Sequence, residues 1–242
     1  MAIGGLSGYR KQQESAGSKF FKPKPDQKVK IRPLTELDFD AKNYSAKNGL
    51  ALFVKEYQHP DNYRLSFVDT YPTEGACVGA ELANKYGWKK PDENEDPEAA
   101  ANWKNWRPKE RVYLPVLLDD GENPEKVVVL QLGMGPKQAQ WNALEECHNN
   151  NGSIVDRWWV YSRKGSGQFD TTYSLSPLDK DDSLPDASEY ADQLPDLEEF
   201  VNRIPYAEQR AFLGLDRPEP VAAGAPSGGS EAKPSGSDEM DW

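Results

Sequence analysis

Arg157, Trp159, Tyr161 and Arg163 stand at every second position of one short run, with Trp158 and Val160 between them. In a strand that spacing puts two guanidiniums and two rings on one face and Trp158 and Val160 on the other, which reads as the core side. Guanidiniums meet phosphates and flat rings stack on bases, so the row has the chemistry of a surface that holds single-stranded nucleic acid. It also fits a plainer role, in which the rings fill a barrel and the arginines sit on its rim. A second run repeats the arrangement: Arg111 and Tyr113 share a face, and Trp103, Trp106, Arg107 and Lys109 precede them. Near the N-terminus Phe20 and Phe21 lie between Lys19 and Lys22, with Arg32 further on, while Pro23 and Pro25 bar a helix. With Lys164 beside Arg163, these cations and rings make up the candidate binding set.

Catalytic chemistry has little to work with. The only histidines, His59 and His148, carry no Ser/His/Asp or Cys/His pattern. The carboxylate pairs Asp119-Asp120 and Asp181-Asp182 fall in a turn and at the start of an acidic region, where solvated carboxylates are the ordinary reading. Gly133-Met134-Gly135-Pro136 precedes a helix but lacks the Gly-Lys-Ser/Thr that would hold a triphosphate. Two cysteines, Cys77 and Cys147, exclude a disulfide framework and leave a zinc site short of ligands. The expectation is a non-enzymatic binding protein without metal or cofactor.

The formal charge of −11 argues against a polyanionic partner only if it is spread evenly, and it is not. From Asp181 onward 15 acidic side chains face 4 basic ones, which accounts for the whole net charge and leaves the first 180 residues neutral. The chain finishes Asp238, Glu239, Met240, Asp241, Trp242, an acidic tip with one aromatic behind a Gly/Ser/Pro-rich spacer, which reads as a recruitment element for other proteins. No stretch approaches the apolar length of a membrane helix, and the first residues lack a secretory leader pattern, so a reducing cytoplasm is expected.

The elements that must position these residues are mostly strands. Alternation or apolar runs bounded by turn residues predict strands over 29–34, 50–57, 63–68, 111–118, 126–132, 154–163 and 168–178, with a short helix over 79–86 and another from Gly135-Pro136 to Asn149. Cys147 falls on the apolar side of the second helix with Trp141 and Leu144. The fold class expected is mainly β with short helices: a five-stranded Greek-key barrel of the oligonucleotide-binding (OB) type with a helical insertion. The predicted organisation is a basic arm over 1–28, which also suits a solubility tail, and a binding domain over 29–180 with its insertion at about 70–106. A linker with short helices over 181–216 and a disordered acidic tail over 217–242 complete it.

Four stretches, Val29 to Leu34, Arg111 to Leu118, Val127 to Gly135, and Asp156 to Leu178 with its Gly-x-Gly turn, together with the acidic tail, resemble the phage single-stranded-DNA-binding proteins of the T-even helix-destabilising type. The resemblance spans about the middle two-thirds of the chain. It implies an OB fold, sequence-independent coating of single strands, and removal of their secondary structure in phage replication, recombination and repair within the infected bacterial cytoplasm. It also implies recruitment of polymerase, helicase or recombinase through the tail, and self-association on DNA. Arg111 and Tyr113 match the family's groove strand, and Arg157, Trp159, Tyr161 and Arg163 its closing strands. T-even members hold zinc in the insertion, whereas this chain keeps only Cys77 there, so the resemblance implies a metal-free version. Two rivals stand beside it: a single-stranded-RNA-binding protein with the same groove, and a β-barrel adaptor whose aromatics are packing. A metal-dependent nuclease ranks third.

Overall fold

Val29 and Ile31 alternate with Lys28 and Lys30 to make β1 (Lys28–Pro33) a strand with one apolar and one basic face. It is the central ladder of the computed structural model, which describes residues 20–87, 91–93, 95–97, 102, 105–119, 126–167 and 170–215. Around it lie β2 (Leu52–His59), β3 (Asn62–Val68), β4 (Lys109–Asp119), β5 (Lys126–Gly133), β6 (Arg157–Lys164) and β7 (Thr172–Lys180). The helices are short: α1 (Tyr71–Glu74), α2 (Val78–Leu82), α3 (Ala139–Asn151) and α4 (Tyr206–Phe212).

The molecule is mainly β, one antiparallel sheet in the order β3-β2-β4-β1-β6-β7 with β5 on the far edge of β4. The long β4 organises it. Its first half pairs with β2, its second half with β1, and β5 runs along its other side from Gly133 to Lys126. The sheet has seven strands rather than the expected five, because every stretch that carried a strand signal pairs into one sheet. Among the described residues its hydrogen-bonded path is open from β3 to β7.

One face carries the main core. Val29 and Ile31 join Val112, Leu114, Val116, Leu130, Leu132 and Leu175, closed below by Leu144 and Cys147 of α3. α3 stops at Gly152, whose φ of 76° is the left-handed conformation that glycine adopts without a Cβ penalty and lets its N–H reach the His148 carbonyl at 2.7 Å. It starts at Ala139, after a turn through Gly135–Gln138, rather than at Pro136. A second, smaller core gathers Tyr57 and Phe67 of the β2–β3 hairpin with Cys77, Val78, Tyr86, Trp106 and Leu213. Gly79 makes its closest packing feasible, since any Cβ there would overlap the Tyr57 ring. The insertion helix predicted over 79–86 is α2 followed by one π-helical turn, Ala83–Gly87. Both cysteines are free thiols, one in each core.

The stretch expected to be a linker, 181–216, is a packed strap as far as it is described. Ala187 and Tyr190 enter the main core. The Asn202 carbonyl accepts from the Val68 N–H at 2.9 Å on the edge of β3, and the Asn202 side chain donates to the Ser66 carbonyl at 2.7 Å. The strap ends in α4, where the fully buried Gln209 accepts from the Val78 N–H at 2.7 Å and donates to Thr70 Oγ1 and the Ile204 carbonyl, both at 2.8 Å. A neutral amide suits this place, because it satisfies a helix-terminal N–H without burying a charge. Residues 216–242, with the acidic tip Asp238–Trp242 and the expected tail disorder, lie outside the described residues, as do 1–19 with Lys19 and the 120–125 turn.

Candidate nucleic-acid interface

The row on β6 faces inward. Its partner β1 decides this: Val29 lies beside Tyr161 and Ile31 beside Trp159, whereas Lys30 lies beside Val160 and Lys28 beside Ser162. Trp159 is fully buried with its indole N–H donating to the Ile154 carbonyl at 3.0 Å, and Tyr161 packs with Tyr173 at 6.0 Å between centroids. Arg157 is buried and held by Asp156 at 2.8 Å, a hydrogen bond that raises its pKa. The expected binding face of this strand is therefore the core face, and Trp158 and Val160 are the half-buried outer pair. Period two alone does not choose between faces that both carry aromatics.

Other members of the set are also used internally. Trp106 sits in the second core. Arg32 is buried under the strap, donating to the carbonyls of Val155 at 2.9 Å and Pro185 at 2.6 Å. Burial lowers its pKa, while the charges of Tyr190, Asp186, Asp156 and Asp181 act against that loss. Phe21 packs against the main core with its N–H donating to the Val129 carbonyl at 3.0 Å. Phe20 lies 5.3 Å from Tyr113 and 5.7 Å from Phe200 of the strap, so the ring expected to meet bases roofs Tyr113 instead. Beneath that roof the Tyr113 hydroxyl donates to buried Glu56. Gln131 donates to both, at 3.3 Å to the carboxylate and 3.0 Å to the phenol oxygen. Burial and the Glu56 charge push the Tyr113 phenol well above its usual pKa, so it stays protonated as a donor. Tyr113 is thus a structural residue rather than an exposed stacking platform.

Three expected residues do come together at the surface. Arg107, Lys109 and Arg111 line a groove of about 520 Å³ together with Gly133, Met134, Gly135 and Gln138. Alternation on β4 places Lys109 and Arg111 on one face, and their partners Glu56 and Val54 on β2 set the register. Gly133 leaves room for the arginine: a Cβ there would come within 3.2 Å of Arg111 Nη1. Arg111 Nε lies 3.6 Å from Glu56 Oε2, which anchors the guanidinium from below. Partial burial and then the Arg111 charge lower the pKa of Lys109, only partly offset by Glu56, so the pair forms a locally electropositive edge. Lys22, Arg163 and Lys164 lie elsewhere. β1 begins beside Ser162 and ends beside Val116, which puts Arg163 and Lys164 at the opposite end of the sheet from Lys109. There Arg163 donates to the Pro23 carbonyl at 3.4 Å and lies 5.7 Å over the Tyr173 ring, while Lys22 and Lys164 are exposed.

A second groove of about 530 Å³ adjoins the first, since Glu110 and Met134 line both. Its walls come from Phe53 and Lys55 of β2, Tyr71 at the start of α1 and Arg203 of the strap. Residue patterning missed these four. Leu52-Phe53-Val54 is apolar on both faces, so alternation does not show that Phe53 stays partly exposed. Among the described residues no group of three His, Cys, Asp or Glu is arranged to hold a metal, and no helix is long and apolar enough to cross a membrane. No family model matches the sequence, and no curated protein or solved structure matches it.

Proposed function

We propose that the protein binds single-stranded DNA without sequence preference, as a non-catalytic coat that protects strands and removes their secondary structure during phage replication, recombination and repair. The observation that carries this reading is that Arg107, Lys109 and Arg111 line one groove. Three cations along one edge suit a chain of phosphates. Among the described residues no helix offers a comparable basic face for a duplex major groove: the longest, α3, carries Glu145 and Glu146 and no lysine or arginine. In this reading the sheet is a variant of the OB architecture, with the β2–β3 hairpin and the strap added to its edge. The acidic tip from Asp238 to Trp242 recruits replication proteins and competes with DNA for the cationic groove.

Burial of Tyr113, Trp159 and Tyr161 favours one alternative, a β-sheet adaptor whose aromatics are packing. A competition experiment separates the readings. A labelled single DNA strand is expected to be displaced by unlabelled single-stranded DNA and poorly by duplex of equal length. Stronger displacement by RNA would transfer the function to RNA, and absence of any nucleic-acid complex would leave the adaptor.

A further inference from the structure

We infer that the groove formed by Phe53, Tyr71 and Met134 is where unpaired bases of a bound strand stack, with the phosphates on the neighbouring Arg107–Lys109–Arg111 edge. This rests on the single-strand reading above and moves base recognition away from Tyr113 and Trp159. Among the described residues few large apolar side chains are exposed, and two of them, Phe53 at 39% and Tyr71 at 62%, line this one groove. The others have different settings. Tyr206 donates its hydroxyl to Glu81 at 2.8 Å, and Phe39 packs edge-on against Tyr44 in a loop.

The Phe53 ring and the Tyr71 backbone are both held in place. Phe53 is backed by Trp141 of α3, 5.9 Å away and nearly perpendicular at 87°. Tyr71 projects from a fixed turn: its N–H donates to the Asp69 carboxylate at 2.9 Å, and Thr70 Oγ1 donates to the Ala76 carbonyl at 2.7 Å. Rings that are already ordered lose little conformational freedom when a base stacks on them.

Charge divides the two grooves and selects the occupant of each. In the aromatic groove Lys55 and Arg203 are matched by Asp69 and Glu110, and Glu198 holds Arg203 through two hydrogen bonds of 2.6 and 2.9 Å. That lining is neutral, as suits uncharged flat bases. The adjoining lining holds Arg107, Lys109 and Arg111 with Glu110, and Glu56 lies behind Arg111, which leaves an excess of positive charge that suits phosphates. Glu110 and Met134 belong to both, so the two grooves meet at this end of β4. Phe53 and Lys55 pair with Val112 and Glu110, on the other face from Lys109 and Arg111, so a strand that fills both passes over that edge.

The test is an equilibrium titration of the full chain with oligo(dT) and with an abasic strand of the same length. Stacking on one aromatic predicts that Phe53→Ala and Tyr71→Ala each weaken oligo(dT) binding roughly five- to hundredfold. The salt dependence should stay that of the parent, and affinity for the abasic strand should be nearly unchanged. Phe53→Leu, which keeps packing against Trp141, controls for folding and should weaken oligo(dT) binding as well. Oligo(dT) bound equally by parent and all three variants would overturn the stacking site while leaving the single-strand function standing. Failure of the parent to bind oligo(dT) would overturn both.

Discussion

At the residue scale, type alone did not separate binding from packing. Arg111 and Trp159 both belonged to alternating basic-aromatic rows, yet one lines an open groove and the other fills the core. The partner strand supplies the missing information, because the Lys-Val-Lys-Ile alternation of β1 fixes which face of β6 is buried. Trp159→Ala is therefore expected to cost about 3–5 kcal/mol in a denaturant melt, through the cavity it leaves. Lys109→Ala should leave stability unchanged, weaken single-strand binding, and reduce the slope of log affinity against log salt by about one. Equal stability of the two variants would return Trp159 to the surface. Glu36 gives a second test. It is buried, and burial raises its pKa above the ordinary glutamate value despite hydrogen bonds from Ser153 and the Ile154 N–H. The folded state thus holds this proton more tightly than the unfolded chain. Its destabilising contribution is absent below the ordinary glutamate pKa and grows as pH rises through the folded value. Melting temperatures from acid to neutral pH should show Glu36→Gln gaining on the parent as pH increases, and a pH-independent difference would refute the assignment.

At the element scale, strand positions were legible because alternation and turn residues mark them locally. The strap's short helices were expected too, but their packing on the body was not decided by the sequence, because their mixed polarity marks no one face as buried. Their order comes from particular long-range bonds, notably those of Gln209, which no local pattern encodes. Gln209→Ala should leave the buried Val78 N–H unpaired at a cost of about 1–3 kcal/mol. Hydrogen exchange is expected to speed up in α2 and α4 together, with the β1–β6 ladder protected as before. Faster exchange confined to α4 would mean that the strap does not hold the insertion. The same strap carries Arg203 to the aromatic groove and Phe200 to the ring over Tyr113, so its packing sets which surface is open.

At the scale of the whole molecule, the charge segregation read from the sequence acquires a location. The strap carries nine of the 15 acidic side chains found from Asp181 onward, and its Leu215 packs on the second core with Trp106, one residue from the Arg107 that lines the cationic groove. In the proposed function, the acidic tip beyond this point would compete with DNA at high effective concentration because it is tethered to the same chain. Deleting Glu231 to Trp242 is expected to tighten single-strand binding at low salt, with a smaller gain at high salt, and unchanged affinity would refute the competition. The central claim is that an open cationic groove holds single strands. A salt-titrated binding assay with homopolymeric single strands and a duplex of equal length tests it most directly. Affinity that falls steeply with salt and favours the single strand is the expected result. Absence of binding, or a preference for duplex, would contradict it.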